Sequence, residues 1–466
     1  MKYKVPVTKG IKNILLFAFF MFLFAALALN IDAVQTTNIT IDLTFWLIGI
    51  VALAQIIYAA STYCFSMNTF HWLFIFFFFF CSPYLQYLKG SFCLNYYPTD
   101  QQILNANLLI ILWEITYSFF FTFAKKRKAS VDTKKLLLFD NIRPQQTRFF
   151  LKISIIICLA IAAFMLASGG TDIIFSRSSG EGVFVGDSSA LTSLFSYVVR
   201  NFVTYSAAIA IIYFKYNRKA KHLLITLTVL LIITCSPFGM PRFQAATIYC
   251  GLLILLFPNM TKKYRFVIGF VFAFLILFPL LNTFRYNNVL ELGLQEAVRT
   301  SLNNVTQNLT DANFDAYVML MKVQEYVAEN GITWGGQLLG AALFFVPRGI
   351  WPGKPYGTGY TIHITEKKYG AAANVSCPLL GEGYVNFGVF GVFLFAAVLG
   401  VVAAKLDAWF YNGKNDDSGY SYRIIYAFVP TMLFFMMRGD LMSTTSFLLS
   451  YIVVGKIVTH FALKNK

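Results

Sequence analysis

Pro347 to Pro355, reading Pro-Arg-Gly-Ile-Trp-Pro-Gly-Lys-Pro, packs three prolines, two cations and a tryptophan into nine residues. Proline fixes φ, so the backbone carrying Arg348 and Lys354 is stiff. A stiff cationic loop suits a pyrophosphate, because the fork of Arg grips two oxygens while Lys adds a point charge. The competing reading is a turn anchored by Trp351 at a membrane surface, its cations meeting lipid headgroups. Arg177, Arg200, Arg242 and Arg438 also fall at the ends of apolar runs or between them. A charge beside hydrocarbon usually faces a cavity or a partner, which makes each a candidate for binding an anionic substrate. Snorkelling to headgroups is the alternative. Arg200 is the weakest, since Asn201 and a helix end make an ordinary polar edge. Met437-Arg438-Gly439-Asp440 also reads as a turn in which Asp440 neutralises the cation locally.

Three groups are candidate proton acceptors: His363, Glu366 and Glu382. Histidine titrates near neutrality. Glu382 belongs to Gly381-Glu382-Gly383-Tyr384-Val385-Asn386-Phe387-Gly388 and ranks above His363 as base or substrate-orienting carboxylate, with capping of the following helix as its structural role. His71, His222 and His460 fall at the opposite ends of apolar runs. The seven cysteines include no Cys-x-x-Cys pair, so no metal site is expected. Cys93 and Cys377 are either free thiols or one disulfide. Asn304, Asn308 and Asn374 begin chance glycosylation sequons, and Asp416-Asp417 reads as a solvated turn.

These residues are carried by a chain of 466 residues that is 58% hydrophobic and only 13% charged, too apolar for one water-facing globule. Apolar runs recur along nearly its whole length, and about 20 such residues cross a bilayer. The spans expected are 14–29, 44–64, 71–88, 104–124, 153–168, 191–214, 223–236, 244–257, 266–282, 386–404, 424–437 and 444–462. The expected fold class is therefore all-α, a single polytopic membrane domain over residues 1–466 with about twelve transmembrane helices. The first run lacks a small-x-small cleavage site and reads as a retained helix. The seventh and eighth spans are short and read as broken helices. The 50 Phe residues, Phe76 to Phe80 among them, read as lipid-facing filler.

The net charge of +17 is mainly a topology signal, not a nucleic-acid footprint. Lys2, Lys4, Lys9 and Lys12, then Lys125 to Lys128, then Lys215 to Lys221, then Lys262 to Arg265 alternate with turns almost free of cations. The positive-inside rule puts these segments, and both termini, in the cytoplasm. The exception to short outer turns is 283–385, an extracytoplasmic loop of about 100 residues where a functional cap is usual. Val298, Leu302, Val305 and Leu309 mark one amphipathic helix, and Phe314, Tyr317, Val318 and Met321 begin a second, both expected on the membrane surface. Leu338 to Val346 is too short to span and reads as re-entrant or interfacial.

The Pro-Arg-x-x-Trp-Pro-x-Lys-Pro loop, the Gly-Glu-Gly-Tyr-Val-Asn-Phe-Gly segment and their place in one long outer loop before the last helices resemble the lipid-linked oligosaccharide repeat-unit polymerases, the O-antigen polymerase (Wzy) family. The motifs cover some 20 residues and the architecture the whole chain. The resemblance implies a GT-C-like, metal-independent membrane glycosyltransferase of the bacterial cytoplasmic membrane that uses no cofactor. It would transfer a growing glycan from undecaprenyl pyrophosphate to a sugar hydroxyl of another lipid-linked repeat unit on the outer face. Arg242, Arg348, Lys354, Arg438 and Arg177 would bind pyrophosphate or glycan, and Glu382, His363 and Arg348 would act in catalysis. Its partners would be undecaprenyl-pyrophosphate-linked oligosaccharides, membrane lipid and a chain-length-regulating co-polymerase.

Two rival classes share this helix count: a glycan ligase and a polysaccharide flippase. A transporter should show two related halves and polar residues near mid-membrane. Here polar interest concentrates in one loop, and the halves look unlike each other.

Overall fold

The computed structural model describes residues 7–31, 35–125, 143–175, 190–262, 264–277, 279–281, 305–366, 376–412 and 417–463, with isolated positions between 295 and 299. Its elements are helices, and among the described residues the only β pairing is an isolated bridge between Phe92 and Tyr96. In chain order they are α1 (Val7–Ala28), α2 (Ile39–Thr62), α3 (Met67–Lys89), α4 (Asp100–Ala124), α5 (Pro144–Gly169), α6 (Ala190–Tyr216), α7 (Lys221–Thr234), α8 (Arg242–Leu256) and α9 (Tyr264–Leu281). Then come α10 (Val305–Thr310), α11 (Ala316–Asn330), α12 (Gly336–Ala342), α13 (Thr358–Glu366), α14 (Leu379–Asn412), α15 (Asp417–Tyr426), α16 (Val429–Arg438) and α17 (Leu441–Leu463). Among the described residues nine helices are long and apolar enough to cross a membrane, α1 to α6, α9, α14 and α17, while α8 and α16 are shorter apolar helices. The chain is a multi-pass membrane protein.

Local chemistry starts and stops these helices. Thr99 and Gln102 form a capping box that opens α4, Asn38 caps α2, and Gly90, at φ +70°, closes α3 in the left-handed region. The expected break between the seventh and eighth spans is present: α7 has 14 residues, α8 has 15, and the Cys235–Pro241 connector between them is not helical.

The centre of the bundle is α3. Phe76 to Phe80 are at most 2% exposed, so they are core residues and not the lipid-facing filler expected from composition. They lie in a π-helical stretch, Ile75–Cys81, which turns successive rings toward different neighbours. Phe80 packs on Phe24 and Trp46, and Phe78 on Phe314 and Phe434. Beside this core α4 and α14 touch closely, because Gly400 sits against the backbone of Tyr117 and Phe121; a Cβ there would lie 2.8 Å from the Tyr117 carbonyl oxygen.

The loop-bearing end departs from the surface-helix expectation. Ala316 to Val323 of α11 are all buried, and the Tyr317 hydroxyl donates to Asn107 Oδ1 at 2.9 Å. The run Ala-Tyr-Val-Met-Leu-Met is apolar on every face, the pattern of a buried helix rather than an interfacial one. Of the other expected surface helix, Val305–Thr310 falls within the described residues, with Val298 as an isolated helical position. The short α12 packs against α14 and α17. Helix α14 is broken at Phe387–Gly388, where Gly388 takes φ +62°, so Leu379 to Asn386 form a separate pedestal ahead of the long span.

Candidate functional site

At the loop-bearing end the prolines of the 347–355 segment remove backbone donors, and the two cations supply replacements. Arg348 donates through Nη1 to the Lys354 carbonyl and through Nη2 to that of Pro355, 3.2 Å away. Its guanidinium lies 3.7 Å from the centre of the Tyr356 ring. Lys354 is buried, and its ammonium caps the turn after α12 by donating to the carbonyls of Phe344 and Val346. Burial and, secondarily, Arg348 push the Lys354 pKa down. Both cations thus staple their own loop.

Arg242 is the first residue of α8, directly after Pro241. Its Nη2 donates to Asn313 Oδ1. It stands beside an apolar cavity of about 450 Å³ between α8, α9 and α16, lined mainly by residues such as Ala246, Leu253, Phe270, Ala273 and Phe434. Among the described residues the polar side chains on its walls are Arg242, Tyr249, Cys250 and Thr431.

Arg438 ends α16. Its Nη2 pairs with Asp315 Oδ1 at 2.9 Å, and its guanidinium lies 5.4 Å from the centre of the Phe243 ring, the residue next to Arg242. Its Nε is buried without a hydrogen-bond partner. Asp315 is 1% exposed and also accepts from the Ser376 N–H (3.0 Å) and Ser376 Oγ (2.7 Å). The expected local neutralisation of Arg438 by Asp440 does not occur. Asp440 instead caps α17, accepting from the Met442 N–H at 2.9 Å, and accepts from the Gly359 N–H at 3.3 Å.

Glu382, on the α14 pedestal, is 1% exposed and ties three helices together. Its Oε2 accepts from Thr358 Oγ1 of α13 at 2.7 Å, and its Oε1 from the Leu441 N–H of α17 at 3.0 Å. One turn on, Asn386 Oδ1 accepts from the Leu338 N–H at 3.1 Å and so fixes α12. The Gly381–Gly388 motif is therefore a junction, with both Glu382 oxygens engaged. Cys377, just before it, is a buried free thiol whose pKa is pushed up by burial and then by the Glu382, Asp440 and Asp315 carboxylates. Cys93 is likewise a free thiol.

The structure thus links Arg242, Arg438 and Glu382 through Asn313, Asp315 and Asp440, and brings the Arg348 loop beside them, since Gly357 abuts the Asp440 carboxylate. Arg177 lies outside the described residues. His363 lies on α13, but its side chain, like that of Glu366, is outside them too. Arg200 is buried on α6, its carbonyl accepting from Cys235 Sγ. Sequence reasoning missed Asn313, Asp315 and Thr358. The signal for Asp315 was an acidic residue directly ahead of an entirely apolar helix face.

No protein-family description matches the chain, and no curated protein or solved structure is similar to it.

Proposed function

We propose that this protein is an oligosaccharide repeat-unit polymerase with twelve membrane spans and a GT-C-like architecture, acting on the outer face of a bacterial cytoplasmic membrane with both termini inside. The observation that carries the reading is the apolar cavity with Arg242 at its edge and Arg438 one aromatic ring away. An isoprenoid chain fits such a cavity, and its pyrophosphate fits paired guanidinium groups.

In the proposed reaction a sugar hydroxyl of the acceptor unit attacks the anomeric carbon of the donor glycan. The bond from that carbon to the pyrophosphate oxygen breaks, its electrons leave with the pyrophosphate, and the hydroxyl proton passes to a base. Arg242 and Arg438 stabilise the charge that develops on the leaving group, where low dielectric strengthens them. Because Glu382 already accepts two hydrogen bonds, it is assigned the ordering of α13, and His363, on that helix beyond Thr358, is assigned the role of base. Arg348 and Lys354 keep the roof of the site rigid, and a chain-length-regulating co-polymerase belongs to the same proposal.

The test is purified protein in lipid nanodiscs given undecaprenyl-pyrophosphate-linked repeat units alone. Glycan lengthening with release of undecaprenyl pyrophosphate is expected. Absence of lengthening, with translocation of the same units in vesicles, would replace the polymerase by a flippase.

A further inference from the structure

From Gly331 to Pro347 the chain carries no charged residue, and the side chains it exposes there are apolar or aromatic. Trp334 is 80% exposed, Leu339 51% and Phe345 53%, and Ile350, just beyond, 77%. The other polar side chains of the stretch turn inward. Thr333 Oγ1 donates to the Val385 carbonyl at 3.2 Å, and Gln337, 7% exposed, reaches Thr361 Oγ1 at 3.4 Å. The turn that presents Trp334 is held in a strained form. The Gly336 N–H donates to the Thr333 carbonyl at 2.9 Å, with Trp334 at φ +49° and Gly335 at φ +85°, a type I′ geometry that Gly, Asn or Asp ordinarily fills. It persists because the pedestal grips both sides: the Thr333 N–H donates to the Val385 carbonyl at 2.9 Å, and a Cβ on Gly335 would lie 3.2 Å from Phe387 Cζ.

The backbone points the same way. The carbonyls of Phe344 and Val346 are taken by the Lys354 ammonium and those of Lys354 and Pro355 by Arg348, while the N–H groups of Val346, Ile350 and Trp351 donate to the carbonyls of Leu343 and Pro347. An irregular loop in water leaves such groups to solvent, whereas beside hydrocarbon the protein itself must meet them. The surface is also continuous with one that faces lipid. Ile332 lies against Gly388, and directly after that break Val389 and Phe390 are 54% and 64% exposed within the α14 span. We infer that residues 334–350 are seated in the bilayer leaflet at the loop-bearing end, with Trp334 at the headgroup boundary and Leu339, Phe345 and Ile350 among the upper acyl chains. Lipid is the occupant, because a protein partner would need a polar rim that this stretch does not offer. The seating fixes the depth of the Arg348 loop against the membrane, and nothing in it depends on the reaction proposed above.

The experiment places a nitrobenzoxadiazole fluorophore on Leu339→Cys, Phe345→Cys and Ile350→Cys, one site at a time, in the full-length protein in lipid nanodiscs. The native cysteines are buried or, for Cys250, half-buried, and the unsubstituted protein supplies the labelling blank. Glu329→Cys, at the exposed end of α11, is the water-facing reference. Phosphatidylcholine with a doxyl spin label near its headgroup is expected to lower emission at the three sites by at least about twofold, the response of a group about 5–10 Å into the boundary, while aqueous iodide leaves it unchanged. The reference should show the reverse. Iodide quenching at the three sites equal to that at the reference, with no response to the doxyl lipid, overturns the inference. Protection from both quenchers would mean that another protein copy covers this face, and overturns it as well. Each site reports alone, so a variant that fails to fold leaves the other two to decide.

Discussion

Arg438 pairs with Asp315 at 2.9 Å across 123 residues of chain, and not with Asp440 two residues away. The pair fastens the end of α16 to the start of α11, so the loop-bearing segment is tied into the bundle by a buried carboxylate. Removing one partner leaves the other charge buried. Asp315→Ala is expected to destabilise by about 3 kcal/mol, the lower end for buried pairs because Arg438 keeps some exposure. In a double-mutant cycle on thermal unfolding in detergent, Arg438→Ala should recover part of that loss; strict additivity would show that the two side chains do not interact in solution.

At the α13, α14 and α17 junction, Glu382→Gln replaces an acceptor of two hydrogen bonds by a group that can accept through only one atom. A loss of about 1–3 kcal/mol is expected, with glycan extension abolished and membrane insertion intact. Thr358→Val should cost less, because it removes one of the two bonds. Extension at the wild-type rate by the Glu382→Gln variant would remove this junction from the proposed site.

Arg348→Lys should loosen the roof without removing charge, since Lys cannot bond the Lys354 and Pro355 carbonyls and also stack on Tyr356. Limited proteolysis is expected to cut the 347–357 segment faster in this variant than in the wild type. Binding of undecaprenyl diphosphate should change by less than about threefold, because the proposed function assigns the phosphates to Arg242 and Arg438. A larger fall would return Arg348 to the pyrophosphate site.

Asp440 gives the pH dependence. Burial pushes its carboxyl pKa up, against the Met442 and Gly359 N–H donors, which pull it down. Its ionised form is therefore less favoured in the folded protein than in the unfolded chain. The stability it contributes is full below the ordinary aspartate value and declines as pH rises through the raised one. The melting temperature of the wild type should fall over that interval, and Asp440→Asn should lessen the slope without abolishing it, because the buried Glu382 carboxyl beside it remains. An identical slope in both would assign the effect to another group.

The apolar runs were readable because bilayer length demands them: among the described residues nine helices are long and apolar enough to cross a membrane, the short seventh and eighth runs are the short α7 and α8, and the expected span 424–437 is divided between α15 and α16. Hydropathy carries no information on which apolar face meets lipid and which meets protein. That is why Phe76 to Phe80 and the first two turns of α11, all buried, were misread as lipid-facing or interfacial. Of the candidate site, Arg242, Arg438 and Glu382 were visible as charges next to hydrocarbon. Their partners were not, because Asn313, Asp315 and Thr358 are ordinary polar residues whose meaning comes from tertiary contact. The same holds for Arg348 and Lys354, whose cationic loop suggested an anion site and whose donors go to its own carbonyls.

Filling the cavity separates lipid seating from phosphate binding. Ala246→Trp puts an indole into a space of about 450 Å³ that is open in the wild type. Extension should fall by at least about tenfold while the melting temperature holds, because the added ring meets empty space and not a packed neighbour. An unaffected rate would mean that the lipid chain lies elsewhere.

The most direct measurement is photo-crosslinking of an undecaprenyl diphosphate that carries a diazirine on its isoprenoid chain, with the adducts mapped by mass spectrometry. Adducts on residues 245–277 of α8 and α9, lost when unlabelled undecaprenyl diphosphate competes and reduced in Arg242→Ala, are predicted. Adducts spread over the outward faces of α1 and α5, insensitive to competitor and to Arg242, would contradict the account.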